Sequence, residues 1–135
     1  MWRFYHLLSY FCCICTLFKY REFGGGKKVA IIGSRGVNVP NIGSYLPKNV
    51  SEIVSGGARG VDMAARSYAL SRGLKLTEFL PQYERYGRAA PIKRNVQIVD
   101  YADFVIAFWD GASRGTKFVI DYCNRISREH QVYLF

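Results

Sequence analysis

From residue 27 to the end of the chain, short apolar runs alternate with stretches in which apolar residues recur at helical spacing. The apolar runs, rich in β-branched and aromatic residues, predict strands over 29–33, 53–54, 74–80, 104–109 and 131–135. Helical spacing predicts helices over about 59–72 and 92–101, a last helix around 118–126, and a short one over 41–46. Gly73 suits the end of the helix over 59–72. This alternation favours an α/β fold, and we predict a Rossmann-like three-layer sandwich with a five-stranded parallel sheet.

Three glycine-bearing loops follow predicted strands directly, over 33–36, 55–62 and 110–116. In open parallel sheets, ligands bind beyond the carboxyl ends of the strands. We therefore expect the three loops to converge on one rim of the sheet and to form a ligand site there.

The second of these loops has the composition of a phosphate-binding turn. Its glycines permit backbone angles closed to other residues, and the helix after it presents unpaired N–H groups to an anion. The Ser55 hydroxyl can donate a hydrogen bond, and the backbone amides of 56–58 can form an anion nest. Two interpretations are open for Arg59 and Asp62, namely ligand contact or local contacts at the helix start. The candidate ligand-binding residues of this loop are Ser55, Gly56, Gly57, Ala58, Arg59, Gly60 and Asp62.

The first and third loops supply further candidates for phosphate or ribose contact. Arg35 suits a bidentate phosphate contact, with a solvated arginine on a glycine turn as the alternative. Ser113 has two interpretations, as a ligand contact or only as a helix N-cap. Trp109 likewise either lines the pocket or packs in the core. The full dinucleotide-binding glycine fingerprint is absent from the sequence. The candidates in these loops are Gly33, Ser34, Arg35, Trp109, Asp110, Ser113, Gly115 and Thr116.

A basic and aromatic stretch follows the third predicted strand. Aromatic rings beside arginines can stack on a base and hold its phosphate. A solvated loop is the alternative for most of this stretch, whereas Arg94 and Asn95 fall at a helix start that faces the rim and are the candidates. The stretch consists of Tyr83, Tyr86, Gly87, Arg88, Lys93, Arg94 and Asn95.

Composition narrows the function classes. The chain has 135 residues and 50% hydrophobic content, which suits one domain. Its formal charge of +9 is spread along the sequence without a dense basic run, so we expect a small anionic ligand and no duplex-binding face. We expect no metal site, no disulfide framework and no Ser-His-Asp catalytic set. Cys123 lies in a helical pattern and is expected to be a core residue.

The first 26 residues stand apart from the domain predicted over 27–135. Residues 4–18 are mostly apolar, but this run is shorter than the about 20 residues that span a membrane, and a signal-peptide cleavage site is missing. We expect a translated leader ahead of a true start near Val29 or a disordered extension, with a genuine membrane anchor as the alternative. The domain itself is expected to be cytoplasmic.

Four motifs in order, IIGSRG, VSGGARGVD, YGRAAPIKRN and ADFVIAFWDGASRGT, resemble the SLOG superfamily and within it the YspA-type branch related to YpsA. The resemblance covers residues 27–135. It implies a Rossmann-like fold that binds nucleotides or nucleotide-derived signals such as an ADP-ribose-type ligand, and it makes a homodimer possible. The implied binding roles fall on Gly33, Ser34, Arg35, Gly56, Gly57, Arg59, Asp62, Arg94, Asn95, Gly115 and Thr116.

The related LOG phosphoribohydrolases carry a GGxGTxxE motif whose glutamate belongs to the catalytic site. Here Val119 stands at the matching position and cannot exchange a proton. We therefore expect a binding module without a catalytic residue. Two alternatives are kept: a nucleoside 5′-monophosphate phosphoribohydrolase, and single-stranded DNA binding as in the DprA branch, which has a similar SGxARGxD segment.

Overall fold

The computed structural model describes residues 25–135, so residues 1–24 of the expected extension, with its apolar run over 4–18, lie outside it. The strands are β1 (Lys27–Gly33), β2 (Val50–Ser55), β3 (Lys75–Glu78), β4 (Phe104–Trp109) and β5 (His130–Leu134). The α-helices of the described part are α1 (Val61–Arg72), α2 (Tyr83–Tyr86), α3 (Ala90–Tyr101) and α4 (Arg114–Arg125). Short 3-10 turns lie over Ile42–Tyr45 and Gly87–Ala89. Within residues 25–135, every helix is too short or too polar to cross a bilayer.

The five strands form one sheet in the order β3-β2-β1-β4-β5, and every neighbouring pair is parallel. The predicted Rossmann-like fold with a five-stranded parallel sheet is therefore confirmed. β1 lies at the centre, where Val29 pairs with Ile53 of β2 on one side and with Phe104 of β4 on the other. Because all strands are parallel, the loops after β1, β2 and β4 leave the same edge of the sheet.

The two faces of the sheet carry separate hydrophobic cores. Alternate residues of a strand point to opposite faces, and accordingly Ile31 packs in the core with α1 while Ile32 packs in the core with α3 and α4. Cys123 of α4 is fully buried in the second core, as expected. Burial raises the pKa of its thiol to about 11.

Several element boundaries agree with the predictions. β4 begins and ends as predicted, and α1 ends at Arg72 because Gly73 takes a left-handed conformation with φ 65°. β2 is longer than the predicted pair 53–54 and extends over Val50–Ser55. β5 is shifted by one residue from the predicted 131–135.

Other boundaries correct the predictions. α1 begins at Val61 rather than near residue 59, because Gly60 has φ 77° and is not helical. α3 begins at Ala90, since Pro91 fits the first turn of a helix, where its missing N–H costs nothing. β3 ends at Glu78 and is shorter than predicted, and the helix predicted over 41–46 is a 3-10 turn.

Candidate functional site

A cavity of about 150 Å³ lies at the carboxyl edge of the sheet and is lined by residues from all three loops and from α3. The expected convergence of the loops is therefore present in the structure. Most of the candidate residues line this cavity: Gly33, Arg35, Gly56, Ala58, Asp62, Arg94, Asn95, Ser113, Gly115 and Thr116. The other candidates, which do not line it, are Ser34, Ser55, Gly57, Arg59, Gly60, Trp109 and Asp110.

A chain of buried hydroxyls joins the first loop to the third. The Oγ atom of Ser34 lies 3.3 Å from Oγ1 of Thr116, and the backbone N–H of Asp110 donates to Ser34 Oγ at 3.3 Å. Ser34 and Thr116 are only 2% and 3% exposed. Ser34 therefore holds the two loops together behind the cavity wall.

Trp109 and Asp110 shape the third loop. The indole N–H of Trp109 donates to the carbonyl oxygen of Ser113 at 3.0 Å. Asp110 Oδ1 accepts hydrogen bonds from the N–H groups of Ser113 and Ala112, at 2.7 and 2.9 Å, and these bonds hold the pKa of the Asp110 carboxyl below its usual value. Both side chains fix the backbone ahead of α4, and neither one lines the cavity.

In the second loop, two of the amides expected to form an anion nest are bonded within the loop. The N–H of Gly57 donates to Ser55 Oγ at 3.2 Å, and the N–H of Ala58 donates to Asp62 Oδ2 at 3.0 Å. Burial raises the pKa of Asp62, although the Ala58 amide and the nearby Arg94 guanidinium oppose this effect. The start of α1 thus already has a carboxylate next to it. The structure shows the local contact that was one of the two interpretations of Asp62, namely the hydrogen bond from the Ala58 amide.

Arg94 reaches from α3 to the second loop. Its Nη1 donates to the carbonyl oxygen of Gly56 at 2.7 Å, and its Nε donates to Asn95 Oδ1 at 2.9 Å. Burial lowers the pKa of Arg94, with the Asp62 carboxylate acting in the opposite direction. A guanidinium keeps its charge in such surroundings, so Arg94 brings a positive charge to the cavity wall.

The start of α4 also has a carboxylate near it, that of Asp110, but this side chain does not line the cavity. Ser113 occupies the N-cap position, but its side chain makes no capping hydrogen bond. The first N–H groups of a helix have no partner within the helix. A Cβ atom built on the exposed Gly115 meets nothing within 4 Å, so packing against the protein does not explain this glycine. The N-terminus of α4 is therefore open for an anion to approach closely.

Two other glycines of the motifs are explained by packing. A Cβ atom on Gly33 would lie 2.3 Å from Cγ2 of Val61, so this glycine lets α1 pack against the end of β1. Gly60 has a positive φ and lies close to the first loop. A Cβ atom on this residue would lie 3.0 Å from the carbonyl oxygen of Arg35.

The structure adds Ile32, Pro91 and Ile98 to the cavity lining, and sequence reasoning missed all three. Pro91 and Ile98 lie three residues before and four residues after Arg94, which places them on the same side of α3. That spacing was the available signal. These apolar side chains form part of the cavity wall and limit the water around the charged groups.

Next to the cavity lies an open depression of about 500 Å³, lined by Arg35, Ala58 and Arg59. Arg35 and Ala58 line both spaces, so Arg59 brings a third positive charge beside those of Arg35 and Arg94. Among residues 25–135, no three side chains of His, Cys, Asp and Glu are grouped as a metal site would require.

A larger depression, of about 750 Å³, lies between the segment 38–44 and α1, and its lining residues come from outside the three loops. Two of its serine hydroxyls are bonded locally, Ser71 to the carbonyl oxygen of Tyr68 and Ser44 to that of Asn41. In the described part of the chain, Arg72 is its only charged lining residue. Size alone would favour this depression, but the charged groups and the open helix start favour the smaller cavity as the functional site.

Comparison of the chain with protein-family models, curated proteins and solved structures gave no match.

Proposed function

We propose that this protein is a SLOG-type module that binds a nucleotide or a nucleotide-derived signal in the cavity at the carboxyl edge of the sheet. The observation that carries the proposal is the meeting of three loops, two guanidinium groups and an open helix start around one space. This combination suits a phosphate attached to a polar sugar.

The phosphate belongs at the start of α4. Gly115 leaves room for it there, and Arg35 lines the same cavity. The loop after β2 suits it less, because the Asp62 carboxylate lines the cavity there and repels a phosphate, whereas Asp110 at the start of α4 does not line the cavity. A second phosphate, as in ADP or ADP-ribose, would fit the depression between Arg35 and Arg59.

The sugar belongs on the Asp62 side of the cavity. A carboxylate oxygen accepts hydrogen bonds from hydroxyl groups, and within residues 25–135 the cavity lining has one carboxylate, that of Asp62. Asn95 and Ser113 line the same space and add further polar partners. One end of the cavity thus suits an anion and the other suits hydroxyl groups, as in a sugar phosphate.

Binding without LOG-type hydrolysis is supported by Val119. This side chain is fully buried in the core beneath α4, at the position where the LOG motif carries its glutamate. The valine side chain can neither exchange a proton nor stabilise the positive charge of an oxocarbenium ion. Chromatography of AMP incubated with the protein is expected to show no release of adenine.

The test is calorimetric titration with AMP, ADP and ADP-ribose against Gly115→Asp and its neutral control Gly115→Asn. An added carboxylate in the first turn of α4 favours the helix dipole, so Gly115→Asp is expected to fold at least as stably as Gly115→Asn. The same charge repels a phosphate, and affinity is expected to fall at least tenfold relative to Gly115→Asn. Equal binding by the two variants, or no binding of any of the three probes to the unmodified protein, would refute the proposal.

A further inference from the structure

The cavity is too small to hold a whole nucleotide. Its volume of about 150 Å³ lies below the roughly 300–1,000 Å³ of pockets that enclose drug-sized ligands. If the proposed function holds, the phosphate and part of the sugar fill this space and the base lies outside it. The surface next to the cavity then decides which base-bearing ligands bind.

The segment 80–94 runs from the second loop to the cavity wall. Leu80 lies over the second loop, since its Cδ2 atom is 2.8 Å from a Cβ atom built on Gly57. At the other end, Pro91 and Arg94 line the cavity itself. The residues between them therefore connect the second loop to the cavity wall.

This segment exposes apolar surface that the fold does not use. Leu80, Tyr83 and Ile92 are 62%, 59% and 49% exposed. Tyr83 also lines an open depression of about 540 Å³ formed by residues 81–85. The short helix α2, which carries Tyr83, contacts α3, which carries Arg94.

Tyr83 and Tyr86 differ in what covers their rings. The ring of Tyr86 has the guanidinium of Arg85 at 5.1 Å and the ammonium group of Lys93 at 5.9 Å from its centroid. Within residues 25–135, neither an aromatic ring nor a cation packs on Tyr83. Tyr83 is thus the aromatic ring of this segment that is free to stack.

We propose that the Tyr83 ring stacks on the base of the bound nucleotide, with Leu80 beside it, while the phosphate lies in the cavity. An exposed aromatic ring offers a π-face that any base can use. The ligand class is therefore a phosphate-bearing molecule with an attached base, and the chemistry of the base is read by stacking more than by hydrogen bonds.

The test compares AMP with ribose 5-phosphate, which lacks the base, in titrations of Tyr83→Ala, Tyr83→Phe and Tyr86→Ala. Tyr83→Ala is expected to weaken AMP binding roughly tenfold and to leave ribose 5-phosphate binding unchanged. Tyr83→Phe keeps the ring and is expected to bind both probes normally. Tyr86→Ala is the matched control and is expected to bind AMP within about twofold of the unmodified protein.

The failures of the two proposals are distinguishable. Unchanged AMP binding by Tyr83→Ala, or equal weakening of both probes, overturns the stacking inference and leaves the cavity assignment in place. If neither probe binds the unmodified protein, the proposed function fails and the stacking inference falls with it.

A base with its phosphate can belong to a free nucleotide or to single-stranded DNA. A single-stranded oligodeoxyadenylate is therefore the third probe. A strand ligand predicts that the oligonucleotide binds more tightly than AMP and loses affinity steeply with added salt. A free nucleotide predicts the reverse order of affinities. In either case Tyr83→Ala must weaken the preferred probe, and failure to do so contradicts the inference.

Discussion

The guanidinium of Arg94 donates a 2.7 Å hydrogen bond to the carbonyl oxygen of Gly56, a residue 38 positions earlier in the chain. This bond joins α3 to the loop after β2 and holds the charge of Arg94 at the cavity wall. A Cβ atom on Gly56 would lie 2.5 Å from Nη1 of Arg94, so only glycine leaves the guanidinium in this place. The glycine and the arginine of two separate motifs thus serve one contact.

Gly56→Ala is expected to displace the Arg94 side chain. The loss of a hydrogen bond to a charged group predicts a fall of about 1.5–3 kcal/mol in the free energy of unfolding, measured with urea. AMP affinity is expected to fall in the same variant, because the positive charge leaves the cavity wall. Gly36→Ala is the control, since a Cβ atom there meets nothing within 4 Å. If both variants behave alike, the contact does not support the site.

Gly33→Ala is expected to destabilise the fold through the contact with Val61, by about 1–3 kcal/mol. Three atoms of the Val61 side chain would lie 2.3, 2.5 and 2.9 Å from the new Cβ atom, and Val61→Ala removes two of them. A double-mutant cycle followed by urea denaturation is therefore expected to show a smaller cost of Gly33→Ala in the Val61→Ala background. Simple additivity of the two changes would contradict the packing explanation of Gly33.

The buried carboxylate of Glu52 predicts a pH dependence of stability. Burial alone would raise its pKa, but hydrogen bonds from the hydroxyls of Thr77 and Tyr101 and the charge of Lys75 lower the pKa overall, below the ordinary 4.5. A pKa that is lower in the folded state means that the ionised form favours folding. This stabilisation is fully present above pH 4.5 and is lost as the pH falls through the folded-state pKa.

Glu52→Gln is accordingly expected to lower the free energy of unfolding at neutral pH by about 1–3 kcal/mol. The difference between the two proteins is expected to shrink as the pH falls below 4.5, because both then carry a neutral side chain at this position. Urea denaturation of both proteins across that range gives the measurement. A difference that stays constant with pH would show that the charge of Glu52 does not matter.

Local sequence signals predict most of the fold. Phe104–Trp109 is a continuous apolar run with no competing helical spacing, and β4 has those bounds. Gly73 ends α1 because a left-handed residue there satisfies the last carbonyl groups of the helix. The start of α3 was the harder boundary, since Pro91 is compatible with both a loop and a first helical turn.

The other features of the site depend on contacts between residues that are far apart in the chain, and a single sequence does not reveal such contacts. Gly33 lies in a sequence typical of a ligand-binding turn, yet in the structure a glycine is required there because the Val61 side chain packs against it. Asp62 could have faced a ligand or its own loop, and in the structure one of its carboxylate oxygens accepts from the Ala58 amide while the residue also lines the cavity. The place of Arg94 against Gly56 depends on the packing of α3 on the sheet, which local periodicity does not give.

The helices that frame the cavity belong to different sides of the sheet, α1 to one core and α4 to the other. A sugar phosphate bound by both Asp62 of α1 and Gly115 of α4 would connect the helices on the two faces of the sheet. Occupancy would then slow amide hydrogen exchange in α1 and α4 together. A small ligand would in this way stiffen the domain from both sides of the sheet.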